Sequence, residues 1–283
     1  MSNPVFNNSA IFGDPRRRGA VAQRTSYQSV EQATAAQPGL SAVTLEKMYG
    51  APAATTRDTG RLTYDDVIVK TGGLLALLVA VAAVTWTVTP LRQLFFVGMI
   101  VGLVLGLVNA FKKTPSPALI VAYTVAQGVF LGGVSYFFQN YQVQGQAAQP
   151  IVLQAVLATF ATFGAALFLF SSGRVRVTPK FTRWLLISMV GYLAFSLLNF
   201  VLSFFMASDG FGPLRNGPMG ILVGLFAVGL AAASLIMDFD SIKRGVEQGV
   251  PARFAWTAAF GLIVTLVWLY LELLRLLAMF TRR

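Results

Sequence analysis

Long apolar runs separated by brief polar punctuation fill the chain from about residue 66 to its end. They cover about 68–89, 93–111, 117–139, 151–171, 181–206, 218–238 and 254–280. Each is close to the roughly 20 residues that an α-helix needs to cross a hydrocarbon core about 30 Å thick. None shows the apolar/polar alternation over about ten residues that marks a strand of a membrane barrel. Backbone facing lipid must satisfy its own hydrogen bonds, so the pattern predicts an all-α membrane protein, a bundle of seven transmembrane helices over 65–283. The connectors carry Pro, Gly, Asn or charge and are too short for a folded domain. Residues 1–64 are of another kind, rich in Ala, Thr, Ser, Gln, Gly and Pro without sustained periodicity. This composition predicts a disordered cytoplasmic tail. It contains no apolar stretch of the secretory-signal type, so the first span is expected to direct insertion. At its end, Thr63-Tyr64-Asp65-Asp66 reads as a helix start, with Thr63 as cap and two acids at the positive end of the helix dipole.

Composition supports a bilayer as solvent. The 283 residues are 55% hydrophobic and only 12% charged, whereas soluble domains carry about 25% charged residues. The net charge of +11 does not point to nucleic acid, because the basic residues border apolar runs instead of clustering with polar and aromatic ones. Their distribution is topological. With the N-terminus inside, the inner connectors hold Lys112, Lys113, Arg174, Arg176, Lys180, Arg183, Lys243, Arg244 and Arg253, and the outer ones only Arg92 and Arg215. The positive-inside rule then orients the chain with a cytoplasmic N-terminus and an outer C-terminus, and the cell (inner or plasma) membrane is its expected location. The C-terminal Arg275, Arg282 and Arg283 are the exception. Arg16, Arg17, Arg18 and Arg24 make too thin a patch to expect more than a solvated tail.

The chain has neither cysteine nor histidine. Thiolate chemistry, disulfides, zinc and iron–sulfur sites, and Ser-His-Asp catalysis are excluded. Any metal must be bound by oxygen, which points to calcium or magnesium. An intramembrane aspartyl protease needs two facing carboxylates at depth, and only one candidate is suitably placed, so no enzymatic activity is expected.

That candidate lies in Ile236-Met237-Asp238-Phe239-Asp240-Ser241-Ile242-Lys243-Arg244, where the sixth run stops. A carboxylate at the edge of hydrocarbon is costly and marks a functional position by default. Asp238 and Asp240 are two residues apart, about 200° around a helix, and cannot face one ion unless the helix unwinds. Asp240 can pair with Lys243 or Arg244 at i+3 and i+4. Asp238 continues the apolar face and is a candidate ion gate, sensor and metal ligand; the plainer reading is an ion-pair or capping cluster at a helix end. The other intramembrane acid, Glu272, follows Arg253 by 19 residues, roughly 28 Å of helix. It is expected near the outer surface, paired with Arg275 and out of reach of Asp238. Gly98, Gly102, Gly106 and Ala110 form a stripe of small residues, and Gly128/Gly132 and Gly220/Gly224 shorter ones, which predict close helix packing within the molecule more than a dimer interface. Tyr123, Gln127 and Asn199 are expected to face the bundle interior.

The acidic cluster, the seventh run Gly261-Leu-Ile-Val-Thr-Leu-Val-Trp-Leu-Tyr-Leu-Glu-Leu-Leu-Arg275-Leu-Leu and the opening Asp65-Asp66-Val67-Ile68-Val69-Lys70-Thr71 together resemble the Bax inhibitor-1 (transmembrane Bax inhibitor motif) family, in its bacterial branch, over about residues 62–281. The resemblance implies a central helix surrounded by the others, a pH-sensitive calcium or proton leak, and a part in stress or cell-death control. In calcium-leak members, an aspartate ending the sixth helix pairs with one inside the seventh. Asp238 matches the first. Alignment on Leu273-Leu274-Arg275 puts Thr265 at the second; alignment on Leu269-Tyr270-Leu271-Glu272 puts Glu272 there, which its depth excludes. The implied sensor is therefore Asp238 with Thr265 at the place of the missing aspartate and Asp240 as a substitute. A basic residue ending the second helix latches the first aspartate in some members, a part open to Lys112 or Lys113. Some bacterial relatives associate with a membrane protease. A regulator that binds such a protease or another membrane complex, without transport, is the alternative function. The expected partner in either case is the lipid bilayer, with no cofactor beyond calcium as passing ion and no nucleic acid.

Overall fold

The computed structural model describes residues 60–141, 150–173, 177–206 and 212–281. The chain over these residues is helical: α1 (Tyr64–Thr87), α2 (Thr89–Gln93), α3 (Phe95–Phe111), α4 (Pro117–Tyr141), α5 (Ile151–Ser171), α6 (Pro179–Leu202), α7 (Gly217–Glu247) and α8 (Ala255–Thr281). Single 3₁₀ turns at Pro213–Arg215 and Ala252–Phe254 precede α7 and α8. Six of the helices are long and apolar enough to cross a membrane. The second apolar run begins at the end of α2 and breaks at Leu94, which leaves the 17-residue α3. At about 1.5 Å per residue α3 spans some 26 Å, the lower limit for crossing. The division between α1 and α2 follows from Pro90, which cannot donate the hydrogen bond that would continue α1 and starts α2 instead.

The cap is where the sequence placed it. Thr63 accepts from the Asp66 amide at 3.1 Å, and Asp66 pairs with Lys70 one turn on at 3.5 Å. The proposed tail is shorter at its end than the sequence suggested. Gly60 to Leu62 are held against the α7–α8 corner by Leu62 N–H to Val250 C=O (2.7 Å) and an isolated bridge between Arg61 and Pro251. Leu62 is buried there. The remainder of the tail, with Arg16, Arg17, Arg18 and Arg24, lies outside the described residues, as do Arg174, Arg176, Arg282 and Arg283.

Helix α8 is the centre of the bundle, packed by α7, α1, α5 and α4. Its apolar stretch is 72% buried; that of α6, which packs chiefly on α7 and the turn before it, is 11% buried. The glycine stripes work within the molecule. A Cβ on Gly98 would lie 2.9 Å from the Ala126 carbonyl, and one on Gly102 2.7 Å from the Gln127 amide, so α3 lies flush on α4. Tyr123, facing inward, meets Phe260 of α8 edge to face at 5.0 Å. The Asn199 side chain accepts from the Leu214 amide at 2.9 Å and ties α6 to the turn before α7.

Helix α7 overshoots its apolar run. It does not end at Asp238 but continues to Glu247. The pairs Asp240–Arg244 (2.9 Å) and Lys243–Glu247 (3.9 Å) carry it on for about 14 Å, in a sequence too polar to count as a span. Helix α8 ends at Thr281, within a residue of its apolar run, and Glu272 is buried within the bundle.

Candidate functional site

Asp238 is half-buried on the face of α7 that meets α8. Its Oδ2 accepts a hydrogen bond from Thr265 Oγ1 at 2.7 Å. Thr265 is itself buried, and its hydroxyl also lies 3.2 Å from the Gly261 carbonyl of its own helix. One hydroxyl proton serves one acceptor at a time, and the charged carboxylate is the nearer and stronger one. The neutral donor and the position within the apolar layer leave a carboxylate with one partner. No lysine or arginine pairs with it among the described residues.

The other sequence candidates are elsewhere. Asp240 points away from Asp238 on a helix that stays wound, and binds Arg244. It does not join Asp238 as a second carboxylate. Lys112 and Lys113 follow the end of α3, whose main partner is α4; both are exposed, and neither forms an ion pair with Asp238. No group of three or more acidic, histidine or cysteine side chains converges among the described residues. Calcium takes six to eight oxygens, so Asp238 with Thr265 provides a contact for a passing cation, not a coordination shell.

Two turns along the same face of α8 stands a second polar centre that the sequence did not reveal in full. Glu272 is buried and receives hydrogen bonds from the Tyr192 hydroxyl, from Trp268 Nε1 (3.2 Å) and from Arg275. Arg215 lies 3.9 Å from the same carboxylate and donates to the Tyr192 hydroxyl and, at 3.3 Å, to Ser196 Oγ. Arg215 is only 3% exposed, although the sequence placed it in a solvated outer loop. The turn carrying it folds back along α7, where Gly220 leaves room for its backbone. The expected Glu272–Arg275 pair is present; Arg215, Tyr192, Ser196 and Trp268 were not foreseen. One signal was available: Arg215 is one of only two basic residues in the outer connectors, and it falls at the same end as the expected Glu272–Arg275 pair.

Thr265 and Glu272 are seven residues apart, about 10 Å along the axis. The two acids thus share one seam, and their separation keeps them from meeting. A sequence model of the family described as Bax inhibitor 1 like matches residues 3–282. No curated protein and no solved structure matches the chain.

Proposed function

The chain belongs to the Bax inhibitor 1 like family, and from that premise we propose that it carries a slow, pH-sensitive leak of cations, calcium or protons, controlled by Asp238. One observation carries the reading: a carboxylate within the apolar layer of a membrane helix, held by a single neutral hydroxyl. Such a group is expensive to keep in hydrocarbon and cheap to change. Protonation removes its charge and turns it from an acceptor only into a donor as well, so its contact with Thr265 is remade. Among the described residues no basic side chain pairs with Asp238. Its charge state then follows the local proton activity, and with it the attraction for a cation in the α7–α8 seam. The orientation read from the sequence fits this picture. Arg215 and Arg275, which ran against it, are neutralised in part by Glu272 and are not free loop charges. Asp238 then lies toward the cytoplasmic side of a multi-pass inner or plasma membrane protein.

The test is calcium and proton flux from liposomes containing the purified protein, followed as a function of pH. Asp238→Asn is expected to flatten the pH dependence. Flux identical in size and pH profile to that of the parent protein rejects Asp238 as the gate.

A second reading has its own support. Thr265 provides no second ionisable group, and two guanidiniums against one carboxylate leave a positive excess farther along the seam. Both features oppose cation passage. They favour a regulator that binds a membrane protease or another membrane complex without transport. Co-purification from membranes in mild detergent, together with absence of flux in liposomes, selects this alternative.

A further inference from the structure

Between α1 and α5 the bundle has a deep apolar groove of about 630 Å³. Leu78, Ala82, Val152 and Val156 line its walls, and Leu131 of α4 with Leu266 of α8 form its floor. The one polar pair at the floor, Ser135 and Tyr270, is closed on itself at 2.6 Å. Val79, Leu153 and Phe160 stand at the rim and are about half exposed. The flanking helices are membrane spans, so the groove opens sideways into hydrocarbon.

We propose that this groove holds one acyl chain of a phospholipid whose anionic headgroup is bound at Arg92. Two observations commit it to this occupant. Along α1 the lining runs from Leu75 to Thr87, about 18 Å of helix, which is close to one leaflet of a hydrocarbon core roughly 30 Å thick. Finally, one end of the groove is polar and has Arg92 next to it, behind Trp86 and Tyr136. Trp86, Thr87, Gln139 and Pro150 line that end. Trp86 packs on Tyr136 at 5.8 Å, and the Arg92 guanidinium lies 3.9 Å above the same ring. Arg92 makes one side-chain hydrogen bond, to Thr89 at 2.5 Å, while its Nε–H is buried without an acceptor. A tryptophan, a tyrosine and an arginine at the headgroup level suit a phosphate oxygen, with the chain descending past Val152 and Val156 to Leu266.

The experiment is native mass spectrometry of the full chain released from nanodiscs of equimolar phosphatidylglycerol and phosphatidylcholine. One retained phospholipid per chain is expected, with phosphatidylglycerol favoured several-fold, because both lipids offer a phosphate oxygen but the choline ammonium cancels the negative charge that Arg92 attracts. Filling the groove from α1 with Val79→Trp and Ala83→Trp should abolish retention. Both positions are exposed, so neither change disturbs the core. Arg92→Gln should keep the lipid and lose the preference. Retention unchanged in the filled variant, or no retained lipid in the parent, overturns the proposal. Retention without headgroup preference in the parent overturns the assignment to Arg92. Inorganic phosphate, offered alone at the same concentration, should not bind, because it lacks the chain that fills the groove; binding of phosphate alone equally well overturns the acyl-chain anchor.

Discussion

Helix α8 carries two polar centres on one face, and they are built in opposite ways. At Thr265 it meets a carboxylate with a single neutral hydroxyl and no counter-charge. At Glu272 it offers a carboxylate that two arginines, a tyrosine and a tryptophan surround. The first can lose its proton partner or regain it with little change around it. The second ties α6, the turn before α7 and α8 together, and none of its members can leave without stranding another. Helix α6 shows why the second centre is needed. With so little of its surface buried, it is held to the bundle by Tyr192, Ser196 and Asn199 as much as by apolar packing. A bundle with one fixed and one labile polar centre can respond at the labile one without coming apart.

The comparison breaks most readily at Glu272. Glu272→Gln leaves the buried Arg215 and the partly buried Arg275 without a counter-charge, and removing one partner of a buried pair costs about 3–5 kcal/mol. Thermal unfolding in detergent should show it as the least stable variant of this set. Adding Arg215→Gln should recover part of the loss, because it removes the excess charge. A loss below about 1 kcal/mol for Glu272→Gln would mean that the centre is solvated and anchors nothing.

Asp238→Asn is the counterpart on the labile side. An asparagine keeps the acceptor oxygen for Thr265 and removes only the charge, so stability should move by no more than about 1 kcal/mol. Equal losses for the two substitutions would erase the contrast between anchor and switch. The contrast sharpens with Thr265→Asp, which places a second carboxylate against the first. Two carboxyls in contact share a proton and titrate as a pair. The two protons leave in separate steps, so the flux–pH curve of this variant should be broader than that of the parent protein, and an unchanged curve would remove the α7–α8 seam from the path.

Much of the fold was legible because length and polarity decide it. Span positions came from apolar runs, and the start of α1 from Thr63 and its acids. Helix ends were not legible where charged side chains prolong a helix beyond its apolar part. That is why Asp238 was placed at the end of α7, which continues to Glu247. The second span was read two residues too long because the turn at Leu94, which separates α2 from α3, leaves no mark in an apolar run. Asp238 itself stood out through the cost of its charge. Its partner Thr265 was indicated by the family resemblance alone, since a threonine in an apolar helix is ordinary. Arg215 was hidden by its setting: a charge in a connector reads as solvated, and only a backbone folding back beside Gly220 carries it inside.

The smallest effect belongs to Asp240, and it decides whether the acidic cluster works as a unit. Asp240 is paired with Arg244, whose side chain is more than half exposed. Exposed i,i+4 pairs contribute about 0.3–0.5 kcal/mol, and salt screens them. Asp240→Asn should therefore lower stability by no more than that, and less in high salt. It should also leave the flux–pH curve in place, because Asp240 points away from the seam that Asp238 faces. A shift of that curve as large as the one caused by Asp238→Asn would show that the two acids act together despite their divergence on a wound helix, and that α7 unwinds at Phe239 when the protein responds to pH.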